Sequence, residues 1–154
     1  MREFDLVGEL MAKIQDGFFV ESLQFNTSSY EFIKTYMNSH LAKTMDHGTF
    51  LGGYNNFVEE FKDKNLHGNH KLPAYVMSWI GYMLRYWAYV YEVDSKDIYK
   101  IIQGRDLEKY CMRYYNRDYD EAIDAIYADR KLQLDKKSLK EQFKDFYGNT
   151  IKEL

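Results

Sequence analysis

The sequence predicts an all-α fold, a single-domain bundle of about seven or eight helices around a central hydrophobic helix at residues 73–93. Three observations favour this fold. The chain of 154 residues has the length of one domain, and its 45% hydrophobic and 29% charged residues are typical of globular proteins. The only proline is Pro73, and no useful stretch alternates apolar and polar residues as a half-buried strand would. Apolar residues recur instead at helical spacing.

The first helix is predicted to begin near Arg2 and to be interrupted at Gly17. Residues 18–25 are then either a further helical turn or an extended stretch. The buried face is expected to consist of the apolar residues at helical spacing, which are Phe4, Leu6, Val7, Leu10, Met11 and Ile14.

A second long helix is predicted from Ser28 to about Met45, because Ser28 and Glu31 have the spacing of a capping box. His40 falls on its apolar arc, where a hydrogen-bonded core imidazole is expected. Residues 46–72 contain four glycines and four asparagines and therefore predict loops around one short helix. The apolar positions of that helix are Tyr54, Phe57, Val58 and Phe61.

The segment 73–93 is long and apolar enough to imitate a membrane span. Pro73 suits the first turn of a helix, where its missing N–H costs nothing. One stripe of this helix is small or polar and consists of Ser78, Gly81, Arg85, Ala88 and Glu92. A central arginine and a continuous polar stripe are costly in lipid. The segment is therefore predicted to be the buried helix of a bundle and not a membrane anchor.

The remainder of the chain predicts four more helices. Three short ones begin at capping residues, namely Asp94 or Ser95, Asp106, and Asp118 or Asp120. Gly104 is expected to end the first of them. The last helix, at residues 138–154, begins at Ser138 and has one apolar face made of Leu139, Phe143, Phe146, Tyr147, Ile151 and Leu154. This appended helix either folds back onto the domain of residues 1–154 or is exchanged between two copies in a homodimer.

Motifs and composition exclude several classes of function. The sequence contains no glycine-rich phosphate loop, no nucleophile elbow and no His-Glu-x-x-His helix, so no catalytic residue and no cofactor is predicted. The single cysteine, Cys111, is expected to be a small buried hydrophobe. A net charge of −3 lacks the footprint of a DNA-binding protein, so nucleic acid is not the expected partner. Charged residues within positions 1–25, where a signal peptide would be apolar, predict a cytoplasmic protein.

His67 and His70 have a spacing compatible with two metal ligands. The glycine and asparagine between them favour a loop, and a third ligand would have to come from elsewhere in the chain. The two residues are therefore expected to be exposed loop imidazoles, and no metal site is predicted.

Arg85 lies in the most hydrophobic helix, between Tyr82 and Tyr89. A buried guanidinium must be paired and hydrogen-bonded because its desolvation is otherwise prohibitive. In one interpretation it pairs with an internal carboxylate, the candidates being Glu92, Asp94 and Asp97. In the other, Ser78, Gly81 and Arg85 line a groove in which the guanidinium binds an anionic ligand or an acidic side chain of a partner.

Aromatic residues make up 18% of the chain, and eleven of its fifteen tyrosines lie between residues 75 and 127. Because a buried tyrosine needs a partner for its hydroxyl, this predicts either a half-polar aromatic core or an aromatic contact surface. Tyr, Trp and Arg also dominate the binding energy of protein interfaces. Arg113 and Arg117 are expected to share a helix face. The predicted binding residues are Ser78, Tyr82, Arg85, Tyr86, Arg113, Tyr114 and Arg117.

Parts of the sequence carry a resemblance. Residues 79–87 (WIGYMLRYW), 95–99 (SKDIY) and 120–123 (DEAI) resemble a group of small uncharacterised helical bacterial proteins found near toxin–antitoxin or ADP-ribosyltransferase-like toxin genes. Residues 36–43 are similar as well. The resemblance covers about two-thirds of the chain and implies a neutralising or accessory partner of a toxin. It brings no catalytic residues with it.

Two functional interpretations follow. The preferred one is a non-catalytic cytosolic protein-interaction module, an antitoxin-like partner of a toxin. The alternative is a small-molecule binding protein, or an enzyme, with an aromatic pocket for an anionic ligand around Arg85. A stacking platform for single-stranded nucleic acid is the third and least favoured interpretation of the tyrosine-rich segment 110–119.

Overall fold

The computed structural model describes residues 1–48, 53–64, 66 and 68–131, and the regular structure within these residues is helical. A 3-10 turn at Ser22–Gln24 follows the first helix. The eight α-helices of the described part of the chain are α1 (Leu6–Glu21), α2 (Ser29–Met37), α3 (His40–Asp46), α4 (Gly53–Phe61), α5 (Ala74–Val90), α6 (Ser95–Ile101), α7 (Gly104–Tyr114) and α8 (Tyr119–Asp129). The prediction of an all-α, single-domain bundle is confirmed.

Helix α5 is the central element, as predicted for residues 73–93. Twelve of its seventeen residues are buried, because α1, α6, α7 and α8 all pack against it. Pro73 immediately precedes it and occupies the N-cap position. Within the described ranges, no helix has both the length and the apolar character needed to cross a bilayer.

The predicted boundaries of α1 are wrong, and its predicted buried face is right only in part, since Met11 is buried and Phe4 and Ile14 pack against the core. The helix begins at Leu6 because the Asp5 carboxylate accepts a hydrogen bond from the Gly8 amide at 3.0 Å. It continues through Gly17 without interruption. Leu6, Val7 and Leu10 are exposed. The buried face instead combines small, polar and aromatic residues, which are Gly8, Met11, Ala12, Gln15, Phe18 and Phe19.

Two glycines explain why this face of α1 is the buried one. A Cβ atom at Gly81 of α5 would lie 2.8 Å from Cγ of Phe19, and one at Gly8 would lie 2.5 Å from Cε1 of Tyr89. Both contacts are shorter than van der Waals packing allows, so only glycine permits the two helices to approach this closely. The small and polar stripe of α5 is therefore covered by α1 at Gly81 and does not line an open groove there.

The helix predicted from Ser28 to Met45 is two helices. The predicted cap is confirmed, since Oγ of Ser28 accepts a hydrogen bond from the Glu31 amide at 3.2 Å. The chain then turns before Ser39, whose Oγ accepts from the Ala42 amide at 3.1 Å and starts α3. His40 is exposed at this turn, so the expected core imidazole is wrong.

Further along the chain, Gly104 begins α7 and does not end α6. The predicted start at Asp106 is therefore wrong, because this residue lies inside the first turn of α7. A Cβ atom there would lie 2.7 Å from Cδ1 of Tyr30 on α2, so the contact between the two helices requires glycine. Asp118 is the N-cap of α8, one of the two predicted positions. The short helix predicted between residues 46 and 72 is α4. The predicted helix at residues 138–154 and His67 lie outside the described residues.

Candidate functional site

Arg85 is completely enclosed by the protein, with 1% of its surface exposed. Its Nη1 lies 2.7 Å from Oδ1 of Asp46, and its Nε donates to Oε1 of Gln15 at 3.0 Å. Its Nη2 donates to Oγ of Ser95 at 3.0 Å and to the Ala42 carbonyl at 3.4 Å. The internal ion pair is therefore what the structure shows, although its carboxylate is Asp46 and none of the three acidic residues proposed from the sequence.

This pairing leaves no open site at Arg85. Each nitrogen of the guanidinium already donates to an internal acceptor, and α1 covers the stripe that was predicted to form a groove. An external anion would have to displace Asp46 or Gln15 from its hydrogen bond with the guanidinium. The geometry therefore gives no support to the predicted anion pocket, and Arg85 acts as a structural residue.

The network around Arg85 connects several helices. Gln15 of α1 is fully buried, and its Oε1 also accepts from the Tyr36 hydroxyl of α2 at 2.9 Å. Asp46, the last residue of α3, accepts from the Ser95 amide at 2.9 Å and so caps α6. Asp94, predicted as one cap of this helix, does not cap it with its side chain. Sequence reasoning missed Gln15 and Asp46, because a polar residue on a helix becomes recognisable as buried only when the packing partner is known.

A second feature brings the predicted tyrosines together at the surface. We call it the aromatic pocket, a cavity of about 380 Å³ between the N-terminal segment, α5 and the start of α8. Its aromatic wall consists of Phe4, Tyr82, Tyr86, Tyr115 and Tyr119, and its charged wall of Arg117, Asp118 and Asp120. Of the predicted binding residues, Tyr82, Tyr86 and Arg117 are at this cavity.

The rings of the pocket are in mutual contact. Tyr82 of α5 stacks on Tyr119 of α8, with ring centroids 5.0 Å apart and an interplanar angle of 23°. The rings of Phe4 and Tyr86 pack edge to face, with their centroids 4.7 Å apart. Offset stacking and edge-to-face contact are the preferred aromatic geometries. The wall is therefore preorganised by contacts between three separate parts of the chain.

Two tyrosine hydroxyl groups, one in the pocket and one behind it, donate to the same carboxylate. Oδ1 of Asp120 accepts from Tyr86 at 2.9 Å and from the more deeply buried Tyr91 at 3.0 Å. Burial, followed by this hydrogen bond to Asp120, raises the pKa of Tyr86. Burial and the neighbouring Tyr82 raise the pKa of Tyr119 to about 12. Two phenols of the pocket wall, those of Tyr86 and Tyr119, are therefore un-ionised at neutral pH.

Ser78, another predicted binding residue, lies close to this region but in a different role. It lies near enough to Asp16 on α1 to influence the pKa of that carboxyl. Partial burial raises the pKa of Asp16, and the Ser78 side chain opposes that rise. Ser78 therefore helps to hold α1 against α5.

Arg113 and Arg117 do not share a helix face as predicted, because α7 ends at Tyr114. Arg113 borders a separate cavity of about 220 Å³ at the contact of α7 with α8. Tyr110 donates to Asp129 there, and Arg130 pairs with Asp106 at 3.2 Å. Many of the polar groups at this cavity are already paired with one another.

Tyr114 links the regions of these two arginines. Its ring stacks on Tyr110 with centroids 6.1 Å apart, and the guanidinium of Arg117 lies 5.9 Å from the centre of the Tyr114 ring. Tyr114 is half-buried and is not part of the aromatic pocket. It connects the surface of α7 to the segment that leads into α8.

Cys111 is buried on α7 as predicted. Burial raises the pKa of its thiol to about 11, so the reactive thiolate is disfavoured at neutral pH. In the described part of the chain, no three His, Cys, Asp or Glu side chains are grouped so that they could hold a metal ion.

No protein-family model matches this chain, and neither a curated protein nor a solved structure is similar to it. The resemblance of residues 79–87, 95–99 and 120–123 to toxin-associated proteins therefore stays a prediction. The aromatic pocket remains as the feature of the described residues that combines exposure, preorganised side chains and charge.

Proposed function

We propose that this protein is a non-catalytic protein-interaction module of the cytosol, and that the aromatic pocket is the centre of the surface with which it binds a partner protein. The carrying observation is the position of Tyr115, which lines the pocket and also belongs to an exposed apolar patch beside it. Tyr115 meets Tyr75 edge to face at 5.4 Å, and the Tyr75 hydroxyl lies 3.9 Å from the Met112 sulfur.

The exposure of this patch supports a role in binding. Tyr75, Met112 and Tyr115 are 48%, 54% and 46% exposed, although they contact one another. Large apolar side chains that are exposed in a group are typical of interaction sites, whereas single exposed ones need no explanation. A patch of Tyr and Met beside a tyrosine-lined cavity has the composition of an interface hot spot with an adaptable border.

We further propose that the partner is a toxin, which this protein neutralises. Support comes from the resemblance of residues 79–87 to toxin-associated proteins and from the lack of a recognised catalytic motif in the sequence. We also propose a homodimer formed through residues 138–154, whose sequence carries one apolar helix face.

The proposal is tested by affinity capture from the native host with the full-length chain. The double variant Tyr75→Ser, Tyr115→Ser removes the exposed rings, and we expect it to weaken binding of an identified partner at least tenfold, about 1.4 kcal/mol. Tyr54→Ser is the matched control, because Tyr54 is 55% exposed on α4 and donates to Glu21 away from the pocket.

Co-expression with the neighbouring genes of the host tests the toxin role. We expect the wild-type chain and Tyr54→Ser to rescue growth from a toxic neighbour, and the double variant to fail. Equal capture by the double variant and by the wild type would overturn the proposed surface. Rescue of no neighbouring gene would overturn the toxin role.

A further inference from the structure

The aromatic pocket has the composition of a site for an organic cation. Tyr82, Tyr86 and Tyr119 form aromatic walls, and the carboxylates of Asp118 and Asp120 border the same cavity. Aromatic faces attract ammonium and guanidinium groups through the ring quadrupole, and the attraction increases when the cation is desolvated. A volume of about 380 Å³ is at the lower end of small-ligand sites, so a side-chain head group fits.

The charges on α8 make the pocket electronegative. Besides burial, which is the largest cause, three carboxylates of this region raise the pKa of the Tyr86 phenol, namely Asp120, Asp118 and Asp124. These acids also act on one another. The pKa of Asp124 is raised first by burial and second by the neighbouring Asp120. A cation in the pocket would relieve this repulsion.

The charges on α1 act on the opposite wall. Glu9 and Asp16 raise the pKa of the Tyr82 phenol in addition to the effect of burial, and Lys13 opposes them. Lys13 is itself paired with Glu9 at 3.0 Å, so its charge is largely offset. Asp16 therefore leaves a net negative charge on this side as well.

Two positive features border the pocket. The first is the N-terminus of α8, which carries a partial positive charge. Three acidic residues at and just after the cap offset this charge, namely Asp118, Asp120 and Glu121. Arg117 is the other, and its guanidinium is near Tyr114, whose ring is not part of the pocket wall. Among the described residues, no Lys or Arg lies over the rings of Tyr82, Tyr86 or Tyr119.

The neighbouring N-terminal segment shows the same arrangement with a cation in place. The guanidinium of Arg2 lies 3.9 Å from the centre of the Tyr89 ring, and Tyr89 donates to the Asp5 carboxylate at 2.5 Å. Tyr86 lies one helical turn before Tyr89 on α5, and its hydroxyl donates to the carboxylate of Asp120 on α8. The combination of ring, hydroxyl and carboxylate is therefore the same. In the first case the chain places a cation over the ring. In the second, the cation that the described residues supply at the cavity is Arg117, which lies near the Tyr114 ring and not over the Tyr86 ring.

We infer that the aromatic pocket receives the ammonium or guanidinium group of a Lys or Arg side chain that the partner protein presents. This inference rests on the proposed function and specifies the chemistry of its central contact. The cation contacts the tyrosine rings while Asp118 and Asp120 supply the opposite charge.

The test uses the full-length chain with isotope-labelled tyrosines and follows their ring signals by NMR. The probes are n-butylammonium and n-butylguanidinium, which reproduce the two side-chain ends, and neutral 1-pentanol, which has a similar size. We expect saturable shifts of Tyr82, Tyr86 and Tyr119 with both cations, binding at least fivefold weaker with pentanol, and weaker cation binding at high salt.

Three variants locate the binding. Tyr82→Leu and Asp120→Asn are each expected to weaken cation binding at least threefold, and Tyr54→Leu to leave it unchanged. Asp120 also accepts two hydrogen bonds, so its variant requires a check of the fold. Tyr82 is only half-buried, and its variant keeps the test decisive if Asp120→Asn does not fold.

Equal binding of pentanol and the cations, or no saturable shift with any probe, would overturn the inference. Tetramethylammonium is a further probe. If it binds while both side-chain analogues do not, the occupant is a free organic cation and the assignment to a side chain is wrong. If Tyr82→Leu captures the partner as well as wild type while the Tyr75 and Tyr115 double variant does not, the inference fails and the proposed function stands.

Discussion

At the scale of single residues, the buried ion pair of Arg85 and Asp46 fixes the interior of this protein. The two charges lie 2.7 Å apart with side chains that are 1% and 4% exposed. Such a pair stabilises a fold only when its remaining donors and acceptors are also satisfied. Gln15 and Ser95 provide that satisfaction, so the pair specifies how α1, α3, α5 and α6 come together.

Removing one member of the pair should therefore be costly. We expect Asp46→Ala to lower the free energy of unfolding by about 3–5 kcal/mol, because it leaves a buried guanidinium unpaired and removes the cap of α6. Urea unfolding of the full-length chain measures this loss. Asp97→Ala is the control, since its pair with Lys100 lies at the surface, with side chains 23% and 51% exposed, and its loss should change stability by about 1 kcal/mol or less. Equal losses in the two variants would contradict this role.

At the scale of helices, the contact between α1 and α5 depends on small residues on each helix that let large aromatic side chains of the other pack closely. Leu6 and Leu10 are exposed, whereas Gly8, Ala12 and Gln15 are buried. The usual expectation, that the more apolar face of a helix is the buried one, therefore predicts the wrong face of α1. A close crossing requires small side chains at the point of contact, which composition does not reveal until the partner helix is known.

Two glycines in these helices should respond oppositely to alanine. A Cβ at Gly81 would meet Cγ of Phe19 at 2.8 Å and the Gln15 carbonyl oxygen at 3.0 Å, so Gly81→Ala should cost about 1–3 kcal/mol through overpacking. A Cβ at Gly17 would meet nothing within 4 Å, so Gly17→Ala should stabilise the protein by up to about 1 kcal/mol through helix propensity. Thermal unfolding of both variants gives the signs. Changes of the same sign would contradict this packing.

At the scale of the whole molecule, phenylalanines and tyrosines are concentrated in different parts of the structure. Phenylalanines from α1, α2 and α4 form a dry cluster in which Phe18 stacks on Phe57 at 4.3 Å. Tyrosines dominate around α5 and α8, where Trp87 donates to the Tyr127 hydroxyl at 2.9 Å. Both alternatives left open by the sequence are therefore present, a half-polar aromatic core and an aromatic surface.

The buried hydroxyl and thiol groups make the molecule sensitive to high pH. Burial raises the pKa of Cys111 from 9.0 to about 11 and raises those of Tyr36 and Tyr127 above the ordinary value of 10.0. The unfolded chain then loses these protons first, so stability should be constant up to about pH 9 and fall as the pH rises from there to 11 and beyond. Urea unfolding between pH 7 and 11 measures the fall, and phenolate absorbance follows the tyrosines. Full ionisation near pH 10 without loss of stability would contradict it.

How far the sequence predicts the site can be judged from particular residues. Tyr82 and Tyr86 were predicted because aromatic residues are concentrated in residues 75–127, and the structure places both at the aromatic pocket. Phe4 and Asp120 were not predicted as site residues, since they come from distant parts of the chain that only tertiary packing brings together. The position of Arg85 in the most hydrophobic helix predicts either a binding residue or an internal ion pair, and the sequence does not distinguish the two.

The sequence by itself determined the helical class, the buried central helix and the Ser28 cap, because periodicity and a capping box depend on neighbours within one or two turns. It also determined that Arg85 must be paired, since desolvation of an isolated guanidinium is too costly at any place in the interior. Only the tertiary structure decided that the partner is Asp46, that α1 buries its small face, and that Tyr82, Tyr86 and Tyr119 enclose one acidic cavity. Those outcomes depend on contacts between residues far apart in the chain, whose geometry is set by the packing of whole helices.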